Sequence, residues 1–391
     1  MVKTRTLRAI DDRTQSILWY ENSPLAVSVE SSDGTITTKH GRFVGGRSDG
    51  VEIVRIDTGA IVMDVLPTRG MAIWKIDSRD TRYGWDSPVD GPVHPSLVPT
   101  FDPSGLGWLE GFDELLTRCG LNSNGAPEHD DTGKLVYPLH GRVGNLPADG
   151  LVIEYDEVAG RLELIGEIRE SRLFFPNLRL VSRLRVHAGS AKVDILDDVT
   201  NDGSKPAAMQ MLYHINVGSP VLEEGSRVVM PIDELAPKDQ LSASEIDRWD
   251  EYDAPQSDYA ERVYFAKLRS DDLDQTTVML HNAAADRGLA VTSSTRTLPR
   301  FIVWKNTADV ADGYVTGLEP ATNYPNHHSF EAEQDRVLAI APEQTICFRV
   351  SLEPLTDSEA VNEVRDRIDM ITGADPPTIH DAPRPGWSPQ A

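Results

Sequence analysis

The chain of 391 residues sets 62 acidic residues against 38 basic ones, a formal charge of −24, and 39% of it is hydrophobic. Such a polyanion is repelled by phosphate backbones and anionic headgroups, which argues against nucleic acid and against a membrane surface as partners. The apolar residues are spread along the whole length, so disorder is excluded as well, and a 43.1 kDa chain is long enough for a large core.

The chain begins Met1-Val-Lys-Thr-Arg-Thr-Leu-Arg8 and runs into Asp11 and Asp12 without the apolar centre of a signal peptide. Nowhere does it approach the roughly 18 consecutive apolar residues of a membrane span. Cys119 and Cys347 are the only cysteines, too few for a disulfide scaffold, and a reducing cytoplasmic setting is expected.

Period-two alternation then dominates. Strands are expected near 35–44, 51–56, 151–155, 161–168, 178–186, 193–199, 277–280, 301–304 and 346–353. In the fifth of these, Leu178, Leu180, Leu184 and Val186 alternate with Arg179, Arg183 and Arg185, the pattern of a half-buried antiparallel strand. Ser32-Asp-Gly34, Asn201-Asp-Gly203 and Ala311-Asp-Gly313 punctuate the runs as turns. Helical signals are few: short segments at 106–118 and 242–251, and a longer one opened by a Thr356/Glu359 capping box and stopped at Gly373. The prediction is an all-β, mainly antiparallel sandwich over 1–373 as a single domain, followed by a Pro-rich extended tail, 374–391, with Trp387 as its anchor.

Six segments carry candidate chemistry. In Met209-Gln-Met-Leu-Tyr-His-Ile-Asn-Val217 the odd positions form one apolar face, and the even ones present Gln210, His214 and Asn216. Those types suit a confined polar cavity better than bulk water, although a satisfied structural histidine reads the same way. In Tyr137-Pro-Leu-His-Gly-Arg-Val-Gly-Asn145, His140 sits in a sharply shaped loop beside Arg142, a cation able to grip an anion or a hydroxyl pair. Glu319 ends an apolar run before Pro320 and is either a general base or a rim carboxylate. Arg69 interrupts a hydrophobic run in Leu66-Pro-Thr-Arg-Gly-Met71, as a ligand contact or as a turn salt bridge. Trp304 and Lys305 close a strand and offer a stacking plane and a charge for a sugar, or a core Trp and a surface Lys. The paired His327 and His328 follow Glu319 closely and either shape the cleft or form a solvated turn.

In their chain order these segments resemble the aldose 1-epimerase, or galactose mutarotase-like, superfamily, in particular its bacterial branch known as a domain of unknown function. The likeness spans residues 35–355 and rests on Pro67-Thr-Arg-Gly-Met71, Asp102-Pro-Ser-Gly-Leu-Gly-Trp108, Leu139-His-Gly-Arg142, Leu212-Tyr-His-Ile-Asn216 and Gly317-Leu-Glu-Pro320. The resemblance implies a β-supersandwich and an isomerase that interconverts sugar anomers. In that scheme His214 is the general acid, Glu319 the general base, and His140 and Arg69 hold the sugar, with no metal or organic cofactor. Gln210, Asn216, Arg142, Trp304 and Lys305 complete the expected substrate contacts. Three departures stand out. The usual His-Pro-Tyr-Phe-Asn-like run is replaced by one in which Asn216 follows His214 after a single residue. The family's Leu-His-Gly-Gly is Leu-His-Gly-Arg here, and its usual substrate-binding aspartate has no match. Arg69, Arg142 and Lys305 are expected to gather in the cleft of an otherwise acidic chain, which points to a sugar acid or sugar phosphate. The expected partner is a small-molecule carbohydrate, and the chain a monomer or homodimer. The competing readings are a non-catalytic carbohydrate-binding domain and a metal-assisted sugar isomerase with His140, His214 and Glu319 as ligands.

Overall fold

Alternation of apolar and charged residues commits each strand to one buried and one solvated face, and two large sheets bury those apolar faces against one another. The computed structural model describes residues 16–389; the basic start and Asp11-Asp12, which bear on the signal-peptide expectation, lie outside them. The larger sheet has 15 strands and the smaller 8. Pairing is antiparallel throughout the smaller sheet. Between the sheets lies the main core, to which Val65, Met71, Tyr213 and Leu318 contribute from one side and Leu164, Leu180, Ile195 and Val350 from the other.

All nine predicted strands are present, most extended by a residue or more at an end: the run expected at 178–186 is the strand Asn177–His187, and that at 346–353 is Thr345–Leu355. On the outer face of the smaller sheet the alternating arginines are matched by acids, Arg179 with Asp202 (2.8 Å), Arg183 with Asp198 (2.7 Å) and Arg185 with Glu163 (2.8 Å). Much of the acidity is thus a charge-paired solvated face.

The helical expectations need correction. Residues 106–118 form a short 3-10 turn, Gly107–Gly111, and then enter the strand Leu116–Leu121, which is buried along its whole length. A strand buried on both faces has no period-two signature and imitates a helix in sequence. Segment 242–251 is divided between a one-turn helix, Gln240–Ala243, and a 3-10 turn, Ile246–Arg248. The long helix is Ser358–Thr372, capped by Asp357 and not Thr356: the Asp357 carboxylate accepts from the Ala360 N–H at 3.0 Å. Gly373 ends it with a positive φ of 64°, as expected. Cys119 and Cys347 are both free, the first buried and the second exposed. Among the described residues no helix is long and apolar enough to cross a membrane.

The tail does not trail free. Thr378–Ile379 pairs parallel with Glu234 and Leu235, Arg384 binds Glu234 at 2.8 Å, and Trp387 is buried with its ring 5.0 Å from that of Tyr324. Trp387 is expected to hold this closure. Trp387→Ala should lower stability by about 3 kcal/mol, read as a fall in the denaturant midpoint at unchanged slope.

Candidate active site

His214 and Glu319 meet because the strands that bear them are neighbours. Ala207–Gly218 pairs with Val315–Ala321 in a register that sets Asn216 opposite Gly317, and Val315–Ala321 pairs in turn with Arg300–Asn306, setting Trp304 opposite Gly317. Odd residues of the first strand, Met209 to Val217, enter the main core, whereas Leu212, His214 and Asn216 face the other side of the sheet. On that side His214 Nε2 lies 3.3 Å from Glu319 Oε1, and both side chains are almost wholly buried. Gly317 makes this approach possible. A Cβ there would stand 2.5 Å from Glu319 Oε1 and 3.2 Å from His214 Cε1.

The imidazole is fixed in one tautomer. Asn216 Nδ2 donates to the Glu114 carbonyl at 2.9 Å, so its Oδ1 faces His214 Nδ1 at 2.6 Å and must accept a proton from it. That leaves Nε2 as the bare nitrogen turned to Glu319. Burial, followed by His140, drives the His214 pKa well below its ordinary value against the opposing hydrogen bond to Asn216. Burial also drives the Glu319 pKa well up, with Glu261 adding to the effect and Lys238 opposing it. Although the contact has ion-pair geometry, the desolvated pair rests in its neutral form, with one proton, on the carboxyl group.

Aromatic rings enclose the pair. The His214 ring centroid lies 5.0 Å from Phe112, 5.4 Å from Trp304, 5.9 Å from Trp108 and 5.3 Å from His140. His140 takes a positive φ of 56°, followed by Gly141 at 71°, and this sharp turn presents its ring to Trp108 at 4.6 Å. Its Nδ1 donates to the Asn124 carbonyl at 2.9 Å, and Nε2 has no hydrogen-bond partner among the described residues. Half-buried His140, Trp304 and Lys238 and exposed Glu261 border the site. The Trp304 Nε1–H donates to Glu261 at 2.7 Å, presenting the ring as a platform.

Burial lowers the His140 pKa to about 4, with Lys238 adding to the effect and the Asn124 hydrogen bond opposing it. A depressed folded-state pKa means stability that is present above the unfolded value of about 6.5 and lost as pH falls towards about 4. The residue as a whole is only partly buried, and solvent trims the loss to about 2 kcal/mol between pH 7 and pH 4.5. Denaturant titrations at the two pH values should show His140→Gln losing less stability than wild type by that amount.

The other sequence candidates fall elsewhere. Arg69 is 2% exposed, and its guanidinium donates to Glu114 (2.7 Å), the Gly111 carbonyl (2.6 Å) and Asn145, leaving no face for a sugar. It is a positioning residue, acting through Glu114, whose carbonyl holds Asn216. Gln210 is fully buried; its Oε1 accepts from the Asn124 N–H at 3.2 Å, so it supports the loop on which His140 leans. Lys305 occupies the opposite face of its strand from Trp304. Its ammonium is buried in the sandwich, 5.0 Å from the Tyr252 ring and bonded to the carbonyls of Arg248 and Glu251, and burial lowers its pKa to about 8. Arg142 faces a separate cavity lined by neither His214 nor Glu319. The expected gathering of Arg69, Arg142 and Lys305 in one cleft is therefore not found. His328 stacks on Tyr137 at 4.4 Å, and the preceding Asn323 exchanges two side-chain hydrogen bonds with Asn124 (2.9 and 2.8 Å), so this stretch also braces the His140 loop. Among the described residues no group of three or more His, Cys, Asp or Glu is arranged to hold a metal ion, and the three-ligand alternative lacks its geometry.

Phe112, Glu114, Lys238 and Glu261 escaped the sequence reading. Phe112 and Glu114 lay inside a segment that reads as helix, and Lys238 and Glu261 have no local motif.

The family model described as a domain of unknown function, DUF4432, matches residues 48–353. A solved structure from Klebsiella pneumoniae, named a putative aldose 1-epimerase, is 33% identical and aligns over 95% of each chain with a TM-score of 0.87. Fold alone is shared with a galactose mutarotase-like protein from Clostridium acetobutylicum (12% identity, 83% of this chain and 100% of that one, TM-score 0.55). The same holds for galactose 1-epimerase from Lactobacillus acidophilus (13% identity, 81% and 98%, TM-score 0.53). None of the curated proteins matches the sequence. The chain belongs to the DUF4432 family of the aldose 1-epimerase, galactose mutarotase-like superfamily.

Proposed function

We propose that the chain is an isomerase that interconverts the anomers of a free sugar or sugar derivative by acid–base ring opening at His214 and Glu319. The observation that carries this reading is the buried His214–Glu319 contact at 3.3 Å, with the imidazole tautomer fixed so that its bare Nε2 faces the carboxyl group. Passage of the Glu319 proton to Nε2 gives the form needed for ring opening. The Glu319 carboxylate then takes the anomeric hydroxyl proton, and the electron pair left on that oxygen forms the C1 carbonyl. The bond from C1 to the ring oxygen breaks, and the ring oxygen receives the proton from His214 Nε2. The pair is thereby back in its neutral form, which is the form that ring closure requires. Turning about C1–C2 before closure gives the other anomer. Burial favours the neutral pair, and each group in turn gives and takes a proton, which suits transfer in both directions.

Trp304 offers a flat face for the sugar ring, and His140 Nε2 an acceptor for a hydroxyl. Lys238 lies within electrostatic reach of both His140 and Glu319 and takes the place that Arg142 and Lys305 had in the argument for an acidic sugar. The test is anomer exchange, followed by polarimetry or NMR, across neutral, acidic and phosphorylated sugars. Acceleration for at least one class is expected; no acceleration for any of them would overturn the reading.

A further inference from the structure

Arg142 is the cation that the sequence singles out and that the His214–Glu319 site does not use. It faces an open cavity of about 810 Å³ bordered by Lys134 and Arg172 and walled by Phe101 and Phe175. The inner end reaches Ser123, Gly141 and Glu170. Arginines elsewhere on the surface are largely paired with acids, as along Asn177–His187. By contrast, Lys134, Arg142 and Arg172 make no ion pair and no side-chain hydrogen bond among the described residues. Two of them lie over the cavity's own aromatic rings, Arg142 at 5.6 Å from the Phe101 centroid and Arg172 at 4.1 Å from that of Phe175. Stacking of this kind fixes a guanidinium plane and leaves its N–H edge free to fork onto an oxyanion.

The inner wall adds a second, independent observation. Ser123 is 2% exposed, and its hydroxyl has no hydrogen-bond partner among the described residues. A buried polar group left unpaired costs stability unless something arrives to satisfy it. The one acid buried here, Glu170, accepts from the Leu121 N–H at 2.6 Å, and burial raises its pKa against the opposing pull of that bond and of Arg142, which reduces its repulsion of an incoming anion. Exposed Asp130 stands at the rim near Lys134, its carboxylate turned to the Thr132 hydroxyl and the backbone N–H groups of Thr132 and Lys134.

We propose that this cavity binds an oxyanion, a phosphate ester or a carboxylate, carried on a flat or apolar body that lies against Phe101 and Phe175. The anion takes the edges of Arg142 and Arg172 with Lys134 at the rim, and a ligand hydroxyl or anion oxygen satisfies Ser123. The site is distinct from the His214–Glu319 pair but shares a loop with it, since Arg142 follows His140 by two residues.

The test is calorimetric titration of the intact protein with phenyl phosphate, benzoate, inorganic phosphate and benzyl alcohol. Wild type should bind phenyl phosphate or benzoate saturably, one per chain, and the neutral alcohol far more weakly. The tighter of the two anions identifies the phosphate-ester or the carboxylate source. Arg142→Gln and Arg172→Gln should each weaken that binding at least tenfold, and Phe101→Ala should weaken the aromatic anion more than inorganic phosphate. His214→Gln should leave it unchanged. Absence of binding by both aromatic anions, survival of binding in both arginine variants, or its loss in His214→Gln would overturn the proposal. Binding is read here without turnover, so the outcome is independent of whether the chain catalyses anomer exchange.

Discussion

Glu319→Gln is expected to cut catalysed anomer exchange at least a hundredfold, and His214→Gln to do the same, while the fold persists in both. Gln is isosteric with the neutral carboxyl group that burial favours at 319, so this variant introduces no unpaired charge and leaves the fully buried strand intact. What it removes is the ability to gain and lose a proton. His214→Gln removes the titratable nitrogen that faces Glu319 and breaks the bond to Asn216. The two act on one proton, so the double variant should be scarcely slower than either single one. NMR exchange spectroscopy on a sugar that wild type accelerates provides the measurement, with thermal unfolding as the control on folding. A binding-only protein behaves differently: the same substitutions shift sugar affinity, and there is no exchange for them to abolish. Rates within threefold of wild type for both variants would remove His214 and Glu319 from the mechanism.

The strand bearing His214 was legible because its two faces carry different chemistry. A run of Met, Met, Tyr, Ile and Val on odd positions can only be core, and Gln, His and Asn opposite them are too polar for core and too specialised for open water. Glu319 was legible because it ends an apolar run immediately before Pro320. Arg69 and Lys305 were not, for a shared physical reason. A long cationic side chain can satisfy its donors on carbonyls and carboxylates inside the fold, and sequence does not record which way it turns. Lys305 is one residue from Trp304 and therefore on the opposite face of the sheet, and its bonds go to carbonyls some 50 residues back in the chain. Phe112 and Trp108 close the site from a loop whose path is set by tertiary contacts. Gly107 lies so close to the Pro99 carbonyl that a Cβ would sit 1.9 Å away, and no local propensity encodes such an approach.

The same limit hid a buried polar link between the sheets, Arg118 with Asp197, where a large loss of stability is expected. Arg118 lies on Leu116–Leu121 in the larger sheet and Asp197 on Val193–Asn201 in the smaller, and both are 0% exposed. The guanidinium binds the carboxylate at 2.5 and 3.0 Å, Ser182 at 2.7 Å and the carbonyls of Gly70 and Met71 at 3.2 and 2.9 Å, while the Tyr213 hydroxyl donates to Asp197 at 2.8 Å. The pair therefore joins the two sheets to Gly70 and Met71, just after the Pro67–Arg69 turn, and to the reverse face of the His214 strand. Arg118→Met strands a carboxylate with only Tyr213 beside it and should cost about 4 kcal/mol, and Asp197→Leu should cost about as much by stranding the cation. Arg118→Met combined with Asp197→Leu removes both charges and should recover a large part of that loss, since desolvating the pair offsets much of its attraction. Denaturant midpoints of the two single variants and the double variant decide the matter. Additive losses in the double variant would mean that each residue stabilises the fold through separate neighbours, and the link between the sheets would then be carried by the apolar core alone.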